Sequence, residues 1–345
     1  MGSVNKILAS LIVIKDKTPD YYGNKQIKAS VIIPVKNGGI LLVEVLKMVL
    51  AQQTPWPFEI LVIDSGSRDG SQDRVQGLNV RLHTIAPETF GHGKTRNLGV
   101  ELSRGEFIAF LTQDALPVDQ HWLFKLISAA ELTPDTAGAF GKHLPYPECS
   151  PVIARELALH FSGFGEQPNL VRMDDVDRYR RDVGYRQFLH FFSNNNACIR
   201  RSIWEKIPFP DTDFAEDQMW AKSVIEAGYA KAYAPDACVY HSHNFGVSES
   251  YQRAFDESSA LKRLFGYDLV PSIAYLLVQW GRLVWRDWKW IGEDSSSIET
   301  KSRWCFKMPF LTLARLTGFY MGGNQDRLPN WLIEHFSRDK TLQRS

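Results

Sequence analysis

Two carboxylates stand just beyond apolar runs, a placement that suits the binding of a polar ligand. Asp64 closes the apolar run 60–63 of the predicted strand 58–64, and Asp114 follows the run 107–111 after two polar residues. Continuous apolar runs of this length are typical of buried strands in a parallel sheet. Ligands of such sheets bind beyond the carboxyl ends of the strands, so both acids are expected at one edge. Asp114 could instead be a turn residue or the N-cap of a helix beginning near Asp119.

A second acidic pair, Glu216 and Asp217, lies in the first turn of a helix predicted over 213–227. Asp213 and Glu216 have the spacing of a capping box, with Asp in place of Ser or Thr. The helix dipole stabilises an ionised carboxylate in this turn, and an ionised carboxylate can accept a proton. The alternative is that both residues are ordinary first-turn acids.

Lys94 and Arg96 begin a helix predicted over 94–103, directly after glycines. Backbone N–H groups and the helix dipole attract anions at such a position, and cationic side chains strengthen the attraction. A capped helix with both side chains in solvent is the alternative. The run 194–196 of three asparagines could present amides to sugar hydroxyls, or form a polar turn.

The elements around these residues alternate between strand and helix. Strands are predicted over 30–35, 58–64, 80–85 and 106–111, with a helix from about 42 to 50 and short connections. This order predicts an α/β fold with a mostly parallel sheet and right-handed crossovers. Further strands are predicted at 196–199 and 237–240, and a solvated helix at 172–181. The expected division is an extension at 1–28, a catalytic domain at 29–247 and a helical region at 248–345.

The composition excludes several classes of protein. A net charge of +1 over 345 residues argues against a nucleic-acid partner held by a basic surface. Four scattered cysteines without a CxxC pair predict a reducing compartment rather than a disulfide scaffold. The apolar run 7–14 is too short to span a bilayer, so we expect a cytoplasmic protein. The extension that contains this run could form an edge strand or a helix.

The C-terminal region combines tryptophans with basic residues. Six of the ten tryptophans lie after residue 279, and Arg282, Arg286 and Lys289 are interleaved with them. One predicted apolar stripe contains Leu276, Leu277, Trp280, Leu283 and Val284. Such a helix suits a membrane interface, or packing against the catalytic domain of the same chain.

Four motifs occur in an order that resembles a known enzyme family. They are VIIPVKN at 31–37, VIDSGSRDG at 62–70, TQD at 112–114 and ED at 216–217. The set resembles the inverting family 2 glycosyltransferases of the GT-A fold, over about residues 29 to 245. GHGKTRN at 91–97 and TQDA at 112–115 further resemble bacterial rhamnosyltransferases that use dTDP-L-rhamnose.

The resemblance implies a nucleotide-sugar site. Asp64 would accept a hydrogen bond from N3–H of uracil or thymine, since both rings present a donor there. Pro34, Lys36 and Asn37 would lie beside the same nucleotide. Lys94 and Arg96 would hold the diphosphate or shape the sugar pocket, and Gln113 would also contact the donor.

The resemblance also implies a divalent cation. Asp114 matches the last acid of the family's DXD motif, which holds Mg²⁺ or Mn²⁺ against the diphosphate. Thr112 replaces the first acid of that motif, so the ion would be held weakly or need another ligand. His241 or His243 could supply it. Because side chains alternate along a strand, one of the two is expected to reach the site, with His241 favoured and His243 left open. A zinc site formed with Cys238 lacks the usual ligand spacing.

Asp217 matches the family's catalytic base, with Glu216 and Asn195 as groups that would bind the acceptor. The expected reaction is inverting transfer of a sugar to a hydroxyl of a growing cell-surface polysaccharide, with L-rhamnose as the favoured sugar. Partners would be the nucleotide sugar, a glycan acceptor that could be lipid-linked, a membrane surface and a second copy of the chain. A transferase that uses UDP-hexose or UDP-N-acetylhexosamine, an inactive sugar-nucleotide-binding protein and a nucleotide hydrolase are the alternatives.

Overall fold

The computed structural model describes residues 26–212 and 214–338. The predicted edge strand or helix within residues 1–28 falls almost wholly outside them, as does the capping role of Asp213. The described residues divide into two compact units, one formed by 26–148 with 157–242 and one by 149–156 with 243–338. The domain boundary predicted after residue 247 stays a prediction.

The first unit is built on a nine-stranded sheet. Its strands are β1 (Ala29–Val35), β2 (Phe58–Asp64), β3 (Arg81–Thr84), β4 (Phe107–Leu111), β5 (Leu116–Pro117), β6 (Thr136–Leu144), β7 (Asn169–Val171), β8 (Asn196–Arg200) and β9 (Ala230–Tyr240). Their order is β3-β2-β1-β4-β8-β6-β9-β5, with β7 also paired to β9. The predicted strand at 237–240 is therefore the end of a longer one.

The helices of the first unit flank this sheet. They are α1 (Gly39–Leu50), α2 (Ser71–Gln76), α3 (His92–Leu102), α4 (Trp122–Ala130), α5 (Pro151–Ser162), α6 (Val176–Arg181), α7 (Val183–His190), α8 (Arg201–Trp204) and α9 (Glu216–Glu226). The division between the units falls within α5. The helix predicted at 94–103 begins two residues earlier, at His92, and the solvated helix predicted at 172–181 is confined to α6.

The sheet is parallel in one half and mixed in the other. Strands β3, β2, β1 and β4 pair in parallel, as the alternating strand–helix pattern predicts. Strand β8 runs antiparallel to both β4 and β6, and β9 is parallel to β6 but antiparallel to β5 and β7. The α/β fold class is confirmed, with a second half that is less parallel than expected.

Both faces of the parallel half are buried, which explains its unbroken apolar runs. On one face Val31 and Val62 join a core that includes Leu42 and Leu46 of α1. On the other face Ile32 and Ile63 join a second core. Gly99 brings α3 close to this face, since a Cβ there would lie 2.7 Å from Cγ2 of Ile32. The sheet is thus packed between helices on both faces, and the polar residues lie on the loops at its edge.

The second unit is helical, as expected. Its helices are α10 (Val247–Phe265), α11 (Ile273–Glu293), α12 (Ile298–Gly323) and α13 (Asn330–Phe336). The apolar stripe predicted on α11 was wrong at one position: Leu276 and Val284 are buried, but Leu277 is 58% exposed. None of the described helices is long and apolar enough to cross a bilayer.

Candidate active site

The carboxyl ends of β1 and β4 are tied together by the side chain of Gln113. Its Oε1 accepts a 2.9 Å hydrogen bond from the backbone N–H of Lys36, and its Nε2 donates to the Lys36 carbonyl at 3.1 Å. The predicted contact of Gln113 with the donor stays a prediction, and the observed bonds give this residue a role in shaping the loop. The Lys36 side chain is exposed beside it.

Asn37 joins the loop after β1 to the loop after β2. Its backbone lies in the left-handed region at φ 54°, a conformation that asparagine tolerates better than most residues. Its N–H donates to Oγ of Ser67, and its Oδ1 accepts from the N–H of Arg68, both at 2.8 Å. Pro34 is half-buried one residue before the end of β1. Three of the predicted nucleotide ligands, Pro34, Lys36 and Asn37, therefore share one edge with Gln113.

Asp64 ends β2 with a buried carboxylate whose two oxygens differ. Oδ1 accepts hydrogen bonds from the N–H groups of Gly66 and Ser67, both at 2.9 Å, and from Nε2 of Gln72 at 2.6 Å. Oδ2 is buried and has no hydrogen-bond partner among the described residues. Leaving a buried acceptor unpaired costs about 1–3 kcal/mol. The side chain is thus held rigidly with one oxygen available to a donor on a ligand.

Glu216 is the first residue of α9 and is buried in a charge pair. Its Oε1 lies 3.0 Å from Nη1 of Arg96 and accepts a 3.0 Å hydrogen bond from Nδ2 of Asn194. Burial alone would raise the pKa of Glu216, but the charges of Arg96 and His92 and the bond from Asn194 outweigh it and hold the pKa below its usual value. Glu216 is therefore ionised and fixed, which suits a structural role beside its proposed contact with the acceptor.

The pKa of Asp217 is shifted in the opposite direction to that of Glu216. Its Oδ2 accepts a 3.1 Å hydrogen bond from the backbone N–H of Asn194, and its Oδ1 accepts from the N–H of Gln218 at 2.8 Å. Burial and the adjacent negative charge of Glu216 raise the pKa of Asp217 to about 7. A carboxylate with a pKa near neutrality, held in a first helical turn, has the properties of a general base.

The register of the sheet brings Asp217 to the same edge as the other acids. Asn196, the first residue of β8, pairs with Leu111, the last residue of β4. Asn194 precedes it by two residues and binds both Glu216 and Asp217. The acids of α9 thus adjoin the loop that carries Asp114. To predict that Asp217 lies at this edge, one would need to know that β8 pairs antiparallel to β4, which the local sequence pattern does not reveal.

Lys94 and Arg96 have different surroundings in the structure. Lys94 is exposed and its Nζ lies 3.0 Å from Oδ2 of Asp211. Arg96 is buried against Glu216, with its Nη1 also donating to the His92 carbonyl at 3.1 Å. The two side chains separate because they lie two positions apart on a helix and so face different directions. Contacts of either with the diphosphate stay predictions.

Asp114, His241 and His243 form a cluster in which each residue offers one metal-ligand atom. The three atoms lie within 4.8 Å of one another. Nε2 of His241 is 3.7 Å from Oδ1 of Asp114. The expectation that only one histidine reaches the cluster was wrong, because β9 ends at Tyr240 and strand alternation no longer applies beyond it. Cys238 does not belong to this cluster. Within residues 26–212 and 214–338 it is the only cluster of three or more His, Cys, Asp or Glu side chains that could hold a metal ion.

Several residues support these groups without a clear signal in the sequence. The hydroxyl of Tyr146 donates to the Asp114 carbonyl at 3.0 Å. The His143 ring packs edge-on against His241 at 5.3 Å, and burial holds the pKa of His143 well below its usual value. Asn194 carries the support of both acids, whereas Asn195 is only half-buried. The run of three asparagines was the one sequence feature that pointed to these supporting residues, but it did not indicate which asparagine binds the acids.

A mixed α/β sheet that gathers acids from three segments at its loop edge has the architecture of a GT-A glycosyltransferase. The model of glycosyl transferase family 2 matches residues 30–207, and the chain belongs to this family. The chain is 36% identical over 233 residues to the O-antigen chain rhamnosyltransferase RfbN of Salmonella typhimurium, covering 66% of this chain and 71% of that protein. It is 31% identical over 232 residues to the O-antigen chain rhamnosyltransferase WbaN of Salmonella anatum, covering 66% and 70%.

Solved structures show the same fold at low identity. A mannosyltransferase of Pyrobaculum calidifontis, solved with GDP-Man and Mn²⁺, has a TM-score of 0.55 at 16% identity and covers 94% of this chain and 93% of its own. TarS 1-349 of S. aureus, solved with UDP, has a TM-score of 0.51 at 16% identity and covers 87% and 91%. The predicted family, fold and enzyme class are therefore confirmed: the protein is a glycosyltransferase.

Proposed function

We propose that the protein transfers L-rhamnose from dTDP-L-rhamnose to a hydroxyl of a growing, lipid-linked cell-surface polysaccharide, with inversion. The observation that carries the proposal is Asp217, a fixed carboxylate with a pKa of about 7 beside the sheet edge that holds Asp64 and Asp114. The rhamnosyltransferases RfbN and WbaN support the choice of sugar and of polysaccharide.

The donor base would be held at Asp64. Its buried Oδ2 accepts a hydrogen bond from N3–H of thymine, while the three donors on Oδ1 keep the carboxylate in place. Uracil has the same donor, so this contact selects pyrimidines of this kind rather than thymine alone. The exposed side chain of Lys36, whose backbone is bonded to Gln113, would add a positive charge near the diphosphate of the donor.

Asp217 would act on the acceptor. Its carboxylate takes the proton of the acceptor hydroxyl as that oxygen forms its bond to the anomeric carbon. The bond from the anomeric carbon to the diphosphate breaks, and the nucleoside diphosphate leaves with the electron pair. Attack from the face opposite the leaving group inverts the anomeric centre. Glu216, neutralised by Arg96, keeps the turn of α9 that presents Asp217.

The cluster of Asp114, His241 and His243 fits a divalent cation, and we propose Mn²⁺ ahead of Mg²⁺. The three candidate ligand atoms are close enough together to share one ion. Mg²⁺ prefers an all-oxygen shell, whereas Mn²⁺ also accepts imidazole nitrogen. When bound, the ion would neutralise charge on the diphosphate. Thr112, in the place of an acid, has a buried Oγ1 with no hydrogen-bond partner in the described part of the chain.

The test is a donor screen on the full chain with Mn²⁺ and a polysaccharide acceptor. Release of dTDP from dTDP-L-rhamnose, dependent on acceptor, supports the proposal, and the anomeric configuration of the product read by NMR must be inverted. Turnover with UDP-sugars alone would overturn the choice of donor. Release without acceptor would indicate a hydrolase, and nucleotide binding without any turnover would indicate an inactive binding protein.

Asp217→Asn separates chemistry from binding. It is expected to abolish turnover while dTDP binding, measured by calorimetry, stays within about twofold. Asp236→Asn is the matched control, since Asp236 is exposed within β9 and takes no part in the site. A variant at Asp217 that keeps full turnover would contradict its role as the base.

A further inference from the structure

Helix α11 exposes an apolar stripe that its own unit does not cover. Leu277, Val278, Trp285 and Trp288 are spaced so that they share one side of the helix, and Val278 and Trp285 are each 68% exposed. Leu276, Val284 and Ile291 form the buried side. The apolar surface of the helix is therefore wider than the part that its unit buries, whereas a surface helix of a soluble protein needs only one buried stripe.

Helix α12 continues this exposed surface. Phe306 and Phe310 are exposed one turn apart, at 73% and 53%, and their rings are 5.5 Å apart. The indole N–H of Trp288 donates to the carbonyl of Cys305 at 2.9 Å, which brings the α11 stripe next to Phe306. We call the surface formed by Leu277, Val278, Trp285, Trp288, Phe306 and Phe310 the α11–α12 face.

An apolar groove of about 410 Å³ adjoins this face. Phe310 belongs to both, and Val247 and Tyr251 of α10 and Phe336 of α13 form other parts of its lining. A contiguous exposed apolar surface with a groove beside it indicates an interaction site. The question is which partner it fits.

The charges beside the α11–α12 face are positive. Arg282 and Lys289 are exposed on α11, and Arg303 and Lys307 are exposed on α12. The exposed acids of this segment, Glu293 and Glu299, lie at the turn between the two helices. Lys289 and Glu293 are 3.9 Å apart, an exposed pair of the kind that contributes little.

We propose that the α11–α12 face docks on an anionic lipid surface, with its tryptophans and phenylalanines at the acyl boundary and its basic side chains on the headgroups. Exposed Trp and Phe next to Lys and Arg have the composition of an interfacial helix. A second copy of the chain fits less well, because a two-fold contact would place one basic border against the other. This inference goes beyond the proposed glycosyl transfer and does not depend on it.

The test is co-sedimentation of the full chain with vesicles of phosphatidylcholine, with and without 30% phosphatidylglycerol. We expect binding to the anionic vesicles and little to the neutral ones. Trp285→Ser combined with Val278→Ser should lower the partition coefficient at least tenfold. Arg282→Gln and Lys289→Gln should each lower it about fivefold, corresponding to about 1 kcal/mol per basic residue.

Leu132→Ser is the matched control, since Leu132 is an exposed leucine of the first unit. It should leave vesicle binding unchanged, and circular dichroism checks that every variant is folded. The inference is overturned if the wild-type chain does not bind anionic vesicles. It is also overturned if the combined Trp285 and Val278 variant binds them as well as the wild type does. A dimer that these changes convert to monomer without any vesicle binding also overturns it. Turnover with a soluble acceptor, measured in parallel, reports on the catalytic proposal separately.

Discussion

The backbone N–H of Asn194 donates a 3.1 Å hydrogen bond to Oδ2 of Asp217, while the side chain of the same asparagine binds Glu216. One residue thus positions both acids at the start of α9. Ala215, just before them, has a left-handed backbone at φ 56°. The acids are held by tertiary contacts in addition to the helix.

The pKa of Asp217 predicts the pH dependence of the reaction. Because the base must be ionised, kcat/KM should rise with pH through a midpoint near 7 and then level off. Glu216→Gln removes the neighbouring negative charge that helps to raise this pKa, so the rise should move to lower pH. Glu205→Gln, at an exposed position, should leave the profile unchanged. A profile identical in wild type and Glu216→Gln would contradict the coupling of the two acids.

The same pKa predicts how stability changes with pH. The folded-state pKa of Asp217 lies above its unfolded value of about 3.9, so the native state binds more protons between the two values. The stability that proton binding at Asp217 contributes is fully present below the unfolded pKa and is lost as pH rises through about 7. Asp217→Asn should therefore raise Tm more at pH 8 than at pH 5. Thermal unfolding at the two pH values measures it, and an equal effect at both would contradict it.

Asp64→Asn should weaken dTDP binding about tenfold to a hundredfold, corresponding to about 1–3 kcal/mol. The substitution keeps an oxygen for the three donors now on Oδ1, but it places an NH₂ group where the buried Oδ2 would accept from the base. Titration calorimetry with dTDP and with UDP measures the change. Asp73→Asn, an exposed position of α2, is the control. Equal affinity in both variants would remove Asp64 from the nucleotide site.

His241→Ala and His243→Ala should each weaken Mn²⁺ binding at least tenfold, since even outer-shell partners of a metal typically account for 10–100-fold. The reason is that each imidazole supplies one of the three clustered ligand atoms. Mn²⁺ binding is measured by electron paramagnetic resonance without donor, so the readout does not depend on activity. His121→Ala, at an exposed position, should have no effect. Unchanged affinity in either histidine variant would exclude that residue as a ligand.

Gly318→Ala should destabilise the second unit by about 1–3 kcal/mol, the usual cost of overpacking. A Cβ at Gly318 would lie 2.3 Å from the Tyr251 carbonyl oxygen, and one at Gly322 would lie 2.2 Å from that of Phe255, so α12 and α10 touch through their backbones. Gly281→Ala is the control: a Cβ there meets no described atom within 4 Å, and Ala should stabilise this helix interior by about 1 kcal/mol. Thermal unfolding of both variants measures the difference.

The sequence alone determined the parallel half of the sheet and the acids at its edge. The segments that became β1, β2 and β4 are mostly apolar because both faces are buried, and Asp64 and Asp114 stand out as the acids that follow their apolar runs. The ordered motifs then indicated the family. These features are local, and strand periodicity with short connections is enough to find them.

The tertiary structure alone decided which residues act together. Arg96 and Glu216 are far apart in the chain, and their pairing needs α3 and α9 to meet. The antiparallel pairing of β8 with β4 brings Asn194 and Asp217 to the edge, and the end of β9 at Tyr240 lets both histidines approach Asp114. Local patterns carry no information on such long-range register, because it is set by packing over the whole sheet.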